Sequence, residues 1–268
     1  QEPSNLNAHF NLGILYYKNM HFDEALREFN KVLEINPNDS EAYYNLGNIF
    51  NKKSLFDYAV ASYKKALAIH PQDAEVFHNL GNTYANKGMI DDAISAYRKA
   101  VEINPNLAES HKSIAYLYKK KGQISESVSS FEKATTFHPK DTNLLFDLAS
   151  LYESNGLQDN AILTYKKLLS IDPAHKGAKN SLAMLYNSKG VSLALQGKTD
   201  DAIAAYKDAL QNKEDFKEAY NNLGAAYVDK EMIDDAIAAY KKALEISPNF
   251  GEVYNNLGVA YTKKKGLR

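Results

Sequence analysis

Proline fixes its own φ, lacks a backbone donor and is excluded from helix interiors. The placement of the seven prolines in this 268-residue chain therefore divides it before any other residue is considered. They are Pro3, Pro37, Pro71, Pro105, Pro139, Pro173 and Pro248. The first six are spaced by 34 residues each, and the last gap of 75 is two such periods and seven residues more. Every proline thus occupies one phase of a 34-residue repeat, with one seven-residue insertion between Pro173 and Pro248. A chain of this kind is an array of supersecondary units, each burying a face on the next. Length alone, which would suggest one or two domains, is a poor guide to it.

With Leu6, Ser40, Ala74, Ala108, Thr142, Ala183, Lys217 and Gly251 counted as position 1, each unit reads as two helices. The first carries an apolar stripe at positions 4, 7, 8 and 11, such as Phe77, Leu80, Gly81 and Tyr84, which is the spacing of one helical face. Glycine recurs at position 8 (Gly13, Gly47, Gly81, Gly190, Gly224, Gly258) despite a helix cost of about 1 kcal/mol, which predicts close approach of another group there. Gly88, Gly122, Gly156 and Gly197 end the first helix at position 15, and an acid three residues later is expected to cap the second. The second helix buries a small residue at position 20 and an aromatic at 24, and proline closes the unit. The repeats are 6–39, 40–73, 74–107, 108–141, 142–175, 183–216 and 217–250. Residues 1–5 read as the tail of a preceding repeat, 176–182 as the insertion, and 251–268 as the first helix of a further repeat.

This pattern of aromatic, Leu-Gly, Tyr, Ala, Phe or Tyr and Pro resembles the tetratricopeptide repeat. Its departures are His111, Ser127 and Glu214, the last standing where the sixth repeat should have proline. The resemblance implies an all-α, right-handed superhelical solenoid of antiparallel helix pairs. First helices then line a concave groove and second helices form the convex back. Both termini fall inside a repeat, so the expectation is an excerpt of a longer protein. The insertion is close to two helical turns, so a helix running on from Lys176 keeps its apolar face within about 20°. Tyr186 fits twice, as position 11 counted from Lys176 and as position 4 counted from Ala183. That segment reads as a longer helix projecting about 10 Å, or as a hinge and self-association surface marked by Met184, Ser188, Val191 and Leu195.

Thirty-two basic and thirty-three acidic residues leave a net charge of −1, without the basic excess that phosphate binding needs, so nucleic acid is not an expected partner. No apolar run approaches the roughly 20 residues that span a bilayer, so membrane insertion is not expected. Absence of cysteine excludes disulfides and thiolate sites and fits a cytoplasmic location as the simplest choice, with periplasmic and secreted ones also compatible. His9 and His111 fall in the aromatic core position, His21, His70, His138 and His175 in or beside turns, and no two histidines form an i, i+4 ligand pair. The acid pairs Asp91-Asp92, Asp200-Asp201 and Asp234-Asp235 sit at helix starts, where capping explains them. No catalytic constellation, metal site or cofactor is expected.

The informative face is the one the core leaves unused, positions 2, 6, 9 and 13 of the first helix. Position 6 carries Asn11, Asn45, Asn79, Asn222 and Asn256, position 9 Asn48 and Asn82, and position 13 Asn86. A carboxamide presents donor and acceptor together, so a row of them can pair with an extended peptide of any sequence. Each bond is worth only about 0.5 to 1.5 kcal/mol, so several in series are needed. Tyr44 and His78 at position 5 offer stacking surfaces, and Lys52 at position 13 opposes Glu41, Glu75 and Glu109 at position 2. The row is similar to the repeat domain of the O-linked N-acetylglucosamine transferases, where such residues hold peptide backbones, although Ser113, Asp147 and Ser188 interrupt it here. The carboxylate clamp of the same family is matched only by Asn48 and Asn79, with Tyr44, Glu109 and Ser113 elsewhere, so chaperone tails are not expected to bind. The chain therefore reads as a scaffold that holds an extended segment of a protein partner. The alternatives are a substrate-recruiting arm of a larger enzyme such as a glycosyltransferase, and an array that self-associates through its terminal repeats or the 176–195 helix.

Overall fold

The computed structural model describes residues 3–266, with side chains from Leu6 onward. Among the described residues there are fifteen helices and no strand. The chain divides into two compact units, residues 1–139 and 140–268. The first holds α1 (Pro3–Lys18), α2 (Phe22–Ile35), α3 (Ser40–Lys52), α4 (Phe56–Ile69), α5 (Ala74–Asn86), α6 (Ile90–Ile103), α7 (Ala108–Lys121) and α8 (Ile124–Phe137). The second holds α9 (Thr142–Ser154), α10 (Gln158–Ile171), α11 (Lys176–Leu195), α12 (Thr199–Asn212), α13 (Lys217–Asp229), α14 (Ile233–Ile246) and α15 (Gly251–Gly266). Within each unit an odd-numbered helix packs on the even one that follows it and on the next pair. The reading of residues 1–5 as a preceding tail falls partly outside the described residues, and Pro3 already lies in α1. Pro37, Pro71, Pro105, Pro139, Pro173 and Pro248 lie in the turns after second helices, and Glu214 occupies the same turn without proline.

The glycine at position 8 is explained by what lies on it. A Cβ added to Gly47 would stand 2.5 Å from the Tyr63 ring, and one on Gly190 or Gly224 would stand 2.5 Å from Tyr206 or Tyr240. The ring of the second helix thus rests directly on the backbone of the first, and Phe29 and Tyr63 are wholly buried there, as Tyr165 is in a repeat with Ala149 at position 8. Position 15 is left-handed in every repeat that has glycine there, with φ near +75° at Gly88, Gly122, Gly156 and Gly197. Met20, Ser54 and Glu231 adopt the same turn at φ of 59°, 59° and 60°, where a Cβ is strained.

The acids at position 18 do not cap the second helices as expected. They sit one residue inside the helix, and helices such as α2, α4 and α6 show no side-chain cap bond. The carboxylates reach instead to the lysine 30 residues on, at position 14 of the next first helix. Asp23 meets Lys53 at 2.5 Å, Asp91 meets Lys121 at 2.5 Å and Asp57 meets Lys87 in the first unit. Asp159 with Lys189 and Asp200 with Lys230 do so in the second. Lys53 holds the Asp23 carboxyl below its ordinary value. These pairs are exposed and salt-screened, so they set the register between repeats more than they add stability. True caps belong to first helices. Asp39 accepts from Ala42 N at 2.8 Å, Asp73 from Glu75 N and Val76 N, and Asp141 from Leu144 N.

The 20-residue α11 carries the insertion in two registers at once. Toward α10, Lys189 pairs with Asp159 and Lys166 lies 5.4 Å above the Tyr186 ring, both positions as counted from Lys176. Toward α12, Gly190 lies under Tyr206, a position counted from Ala183. Seven residues turn a helix by almost two full turns, so both faces stay apolar on the correct side.

Two outcomes follow for urea unfolding. Gly47→Ala places a methyl where the Tyr63 ring now lies, so the ring must shift, and should cost about 1–3 kcal/mol. Met20→Gly and Glu231→Gly relieve left-handed side chains at exposed turns, and each should raise stability by about 1 kcal/mol.

Candidate peptide-binding site

The candidate residues of α3 and α5 form one hydrogen-bonded network. Tyr63 donates its hydroxyl to Asn48 Oδ1 at 2.7 Å, and Tyr97 donates to Asn82 Oδ1 at 2.6 Å. Burial pushes both hydroxyls well above the ordinary tyrosine range, so they remain protonated donors. Asn79 Nδ2 donates to Tyr44 Oη at 2.9 Å and to Asn48 Oδ1 at 3.3 Å, and Asn82 Nδ2 lies 3.5 Å from Asn79 Oδ1. His78 packs 5.4 Å from the Tyr97 ring, with Nδ1 2.8 Å from Ser110 Oγ. Burial holds His78 below its ordinary value, so the ring is neutral.

The position-6 row is not continuous. Asn45 is 8% exposed and its Nδ2 donates to Glu41 O of its own helix at 2.8 Å, a back-bond open to any short polar side chain four residues on. Asn11, Lys52 and Asn86 are exposed and stand apart from the network. In the second unit, Asn222 donates to Asn187 Oδ1 at 3.0 Å and Asn256 to Asn221 Oδ1 at 2.9 Å, while Asn221 reaches Glu252. Asn79 with Tyr44, Asn222 with Asn187 and Asn256 with Asn221 are all 35 residues apart. In these three places a position-6 carboxamide ties its repeat to position 5 of the one before.

Sequence reasoning missed these partners, although a signal existed. Position 9 is polar in Asn48, Asn82 and Ser150, where position 24 is Tyr63, Tyr97 and Tyr165, and apolar in Ile14, where it is Phe29, but it is also apolar in Val191 and Ala225, where position 24 is Tyr206 and Tyr240, so the signal covers only part of the array. Ser150 Oγ indeed lies 3.1 Å from Tyr165 Oη.

What the network leaves to a ligand is defined by subtraction. Asn48 and Asn82 commit their Oδ1 atoms to buried phenols, which fixes each side chain, and Asn48 Nδ2 stays available as a donor at a set position. At the amino-terminal ends of α3 and α5 a cleft of about 560 Å³ is lined by Glu41, Glu75, Asp73 and Tyr44, an acidic end. Exposed Lys18, Lys52 and Lys120 form the opposite end, ~16 Å along each helix by the rise of eleven residues. Among the described residues no group of three His, Asp or Glu converges as a metal would require, and no helix is long and apolar enough to cross a membrane.

Comparison with known proteins bears on this arrangement. Models of the tetratricopeptide repeat match residues 6–39, 28–61, 74–107, 108–141 and 142–175, and a TPR repeat model matches 48–88, 190–230 and 226–265. No curated protein matches the chain. The crystal structure of MamA protein is 27% identical over 65% of this chain and 92% of that one, with a TM-score of 0.51. Naa15/Naa10 bound to HypK-THB is 20% identical over 96% of this chain and 39% of that one, with a TM-score of 0.66. A tetratricopeptide repeat protein from Parabacteroides merdae is 19% identical over 96% of this chain and 99% of that one, with a TM-score of 0.57. The rings resting on glycine, the left-handed turn at position 15 and the matched segments agree in period and phase, and the chain belongs to the tetratricopeptide-repeat family, whose fold is typical of protein–protein interaction scaffolds.

Proposed function

We propose that the first-helix face of residues 6–107 holds an extended segment of a protein partner. The observation that carries this reading is the immobilised carboxamide. A side chain whose acceptor is already bonded to a buried phenol loses little further freedom when its donor binds a peptide carbonyl, so little affinity is lost to ordering. Asn48 and Asn82 occupy the same position in successive first helices, a helix spacing of about 8–10 Å. An extended peptide rises about 3.3 Å per residue, so every third carbonyl meets one donor. The acidic cleft at Glu41 and Glu75 favours a basic side chain at one edge of the segment, and Lys52 favours an acidic one at the other. A role as the recruiting arm of a larger enzyme uses the same face.

A second reading has its own observation. Met184, Val191 and Leu195 of α11 are 51%, 38% and 85% exposed and share one stripe. We infer that this stripe is a self-association surface, and Leu195→Glu should abolish any concentration-dependent mass seen in sedimentation.

The test of the first reading exploits Ser150, whose hydroxyl lies 3.1 Å from Tyr165 Oη and shows that serine can partner the position-24 hydroxyl. In N48S/N82S the phenols keep a hydroxyl partner, which can accept as well as donate, while the presented amides are lost. Circular dichroism should show unchanged helicity, and the partner captured by the wild-type chain should bind about tenfold more weakly, the equivalent of about 1.4 kcal/mol. Equal capture by both proteins would place recognition elsewhere.

A further inference from the structure

The opposite surface carries a groove that recurs between successive second helices, and in three places a cation closes over its floor. Between α6 and α8 it is floored by His111, Ile114 and Tyr118 of α7. Arg98, at position 25, lays its guanidinium 5.7 Å from the centre of the Tyr118 ring. The same geometry recurs in the second unit, where Lys166 lies 5.4 Å from the Tyr186 ring and Lys207 lies 5.7 Å from Tyr227. In these three places a cation from one second helix covers the position-11 ring of the next first helix.

Between α2 and α4 the equivalent groove, of about 640 Å³, is floored by Tyr43, Leu46 and Phe50. Here position 25 is the exposed Asn30, and among the described residues no cation lies over the Phe50 ring. Position 19, an acid or amide in every other repeat, is Tyr58. Its ring is 63% exposed and stands 5.4 Å from Phe50 at an interplanar angle of 34°. Glu34, also exposed on the groove wall, makes no ion pair among the described residues. Two aromatic rings and a carboxylate are thus gathered where three sibling grooves hold a Lys or Arg.

We propose that this groove binds a lysine or arginine side chain presented by a protein partner. Three sibling grooves display the chemistry of the occupant, because Arg98, Lys166 and Lys207 supply a cation to the ring that Asn30 leaves uncovered. The ring quadrupoles of Phe50 and Tyr58 attract a cation over their faces, and Glu34 supplies the counter-charge. Lys65 sits 5.1 Å from the Tyr43 ring in the same groove. Its counterpart Lys133 lines the groove that already contains Arg98, so two cations are compatible with this geometry. The site lies on second helices and on the first-helix positions facing them, and is independent of the carboxamide network.

Aromatic carbon–proton NMR spectra, with Phe50 and Tyr58 assigned by substitution, test the proposal. The probes are Nα-acetyl-arginine amide and Nα-acetyl-lysine amide at millimolar concentration, with Nα-acetyl-norleucine amide as the uncharged control. Phe50 and Tyr58 resonances should move in a saturable way with both cationic probes and at least about threefold less with norleucine amide. Asn30→Arg supplies the missing cation in cis and should abolish the response, while Tyr58→Ala, at an exposed position, should weaken it with helicity unchanged. An equal response to norleucine amide, no shift of either ring, or an unaltered response in Asn30→Arg would overturn the proposal.

Discussion

The contact on which the array depends is an aromatic ring laid on bare backbone. In each complete repeat that has glycine at position 8, the ring at position 24 occupies the space a side chain would fill, 2.5 Å from a notional Cβ at Gly47, Gly190 and Gly224. This brings the two helices of a pair closer than side-chain packing normally allows, and it buries a large ring without needing a thick core around it. Ala25, Ala59, Ala93 and Ala202, all fully buried, continue the same close packing one turn earlier on the second helix. A chain with 44% hydrophobic residues can in this way build an extended core from a thin layer of contacts.

Much of this was legible in the primary sequence, and for a physical reason. A glycine kept inside a helix, a proline at fixed phase and a left-handed glycine at position 15 each answer a local backbone demand, and local demands leave local marks. The role of Asp23, Asp57 and Asp91 was not legible, because an acid in the first turn of a helix looks like a cap whether or not it caps. Its true partner lies 30 residues away across a repeat boundary. The asparagines were misjudged in a similar way. Asn48 and Asn79 read as free carboxamides because a single helix face was considered, whereas their bonds go to Tyr63 and Tyr44 on neighbouring helices.

Those bonds change what the face can offer. Asparagines used to tie one repeat to the next cannot also serve as an open ladder of donors and acceptors, so the number of groups available to a peptide is smaller than the count of asparagines. The remaining groups gain in definition what they lose in number, because a carboxamide fixed by a buried phenol has one orientation. On the opposite surface the same economy operates through cations, with Arg98, Lys166 and Lys207 each covering a ring of the following repeat. Both surfaces are therefore built mainly from contacts between repeats, and ligand chemistry is left where one repeat departs from its siblings.

The double register of α11 sets a rule for how such arrays can grow. Because one helix meets α10 in one phase and α12 in a phase seven residues later, two arrays with unrelated frames are spliced through a single helix without a linker. Only lengths near a whole number of helical turns allow this, since a slip of five residues would rotate Gly190 about 140° away from Tyr206. Recombination inside a first helix is thus filtered by whole helical turns, which admit insertions of about seven or eleven residues, as a coding frame filters insertions by three.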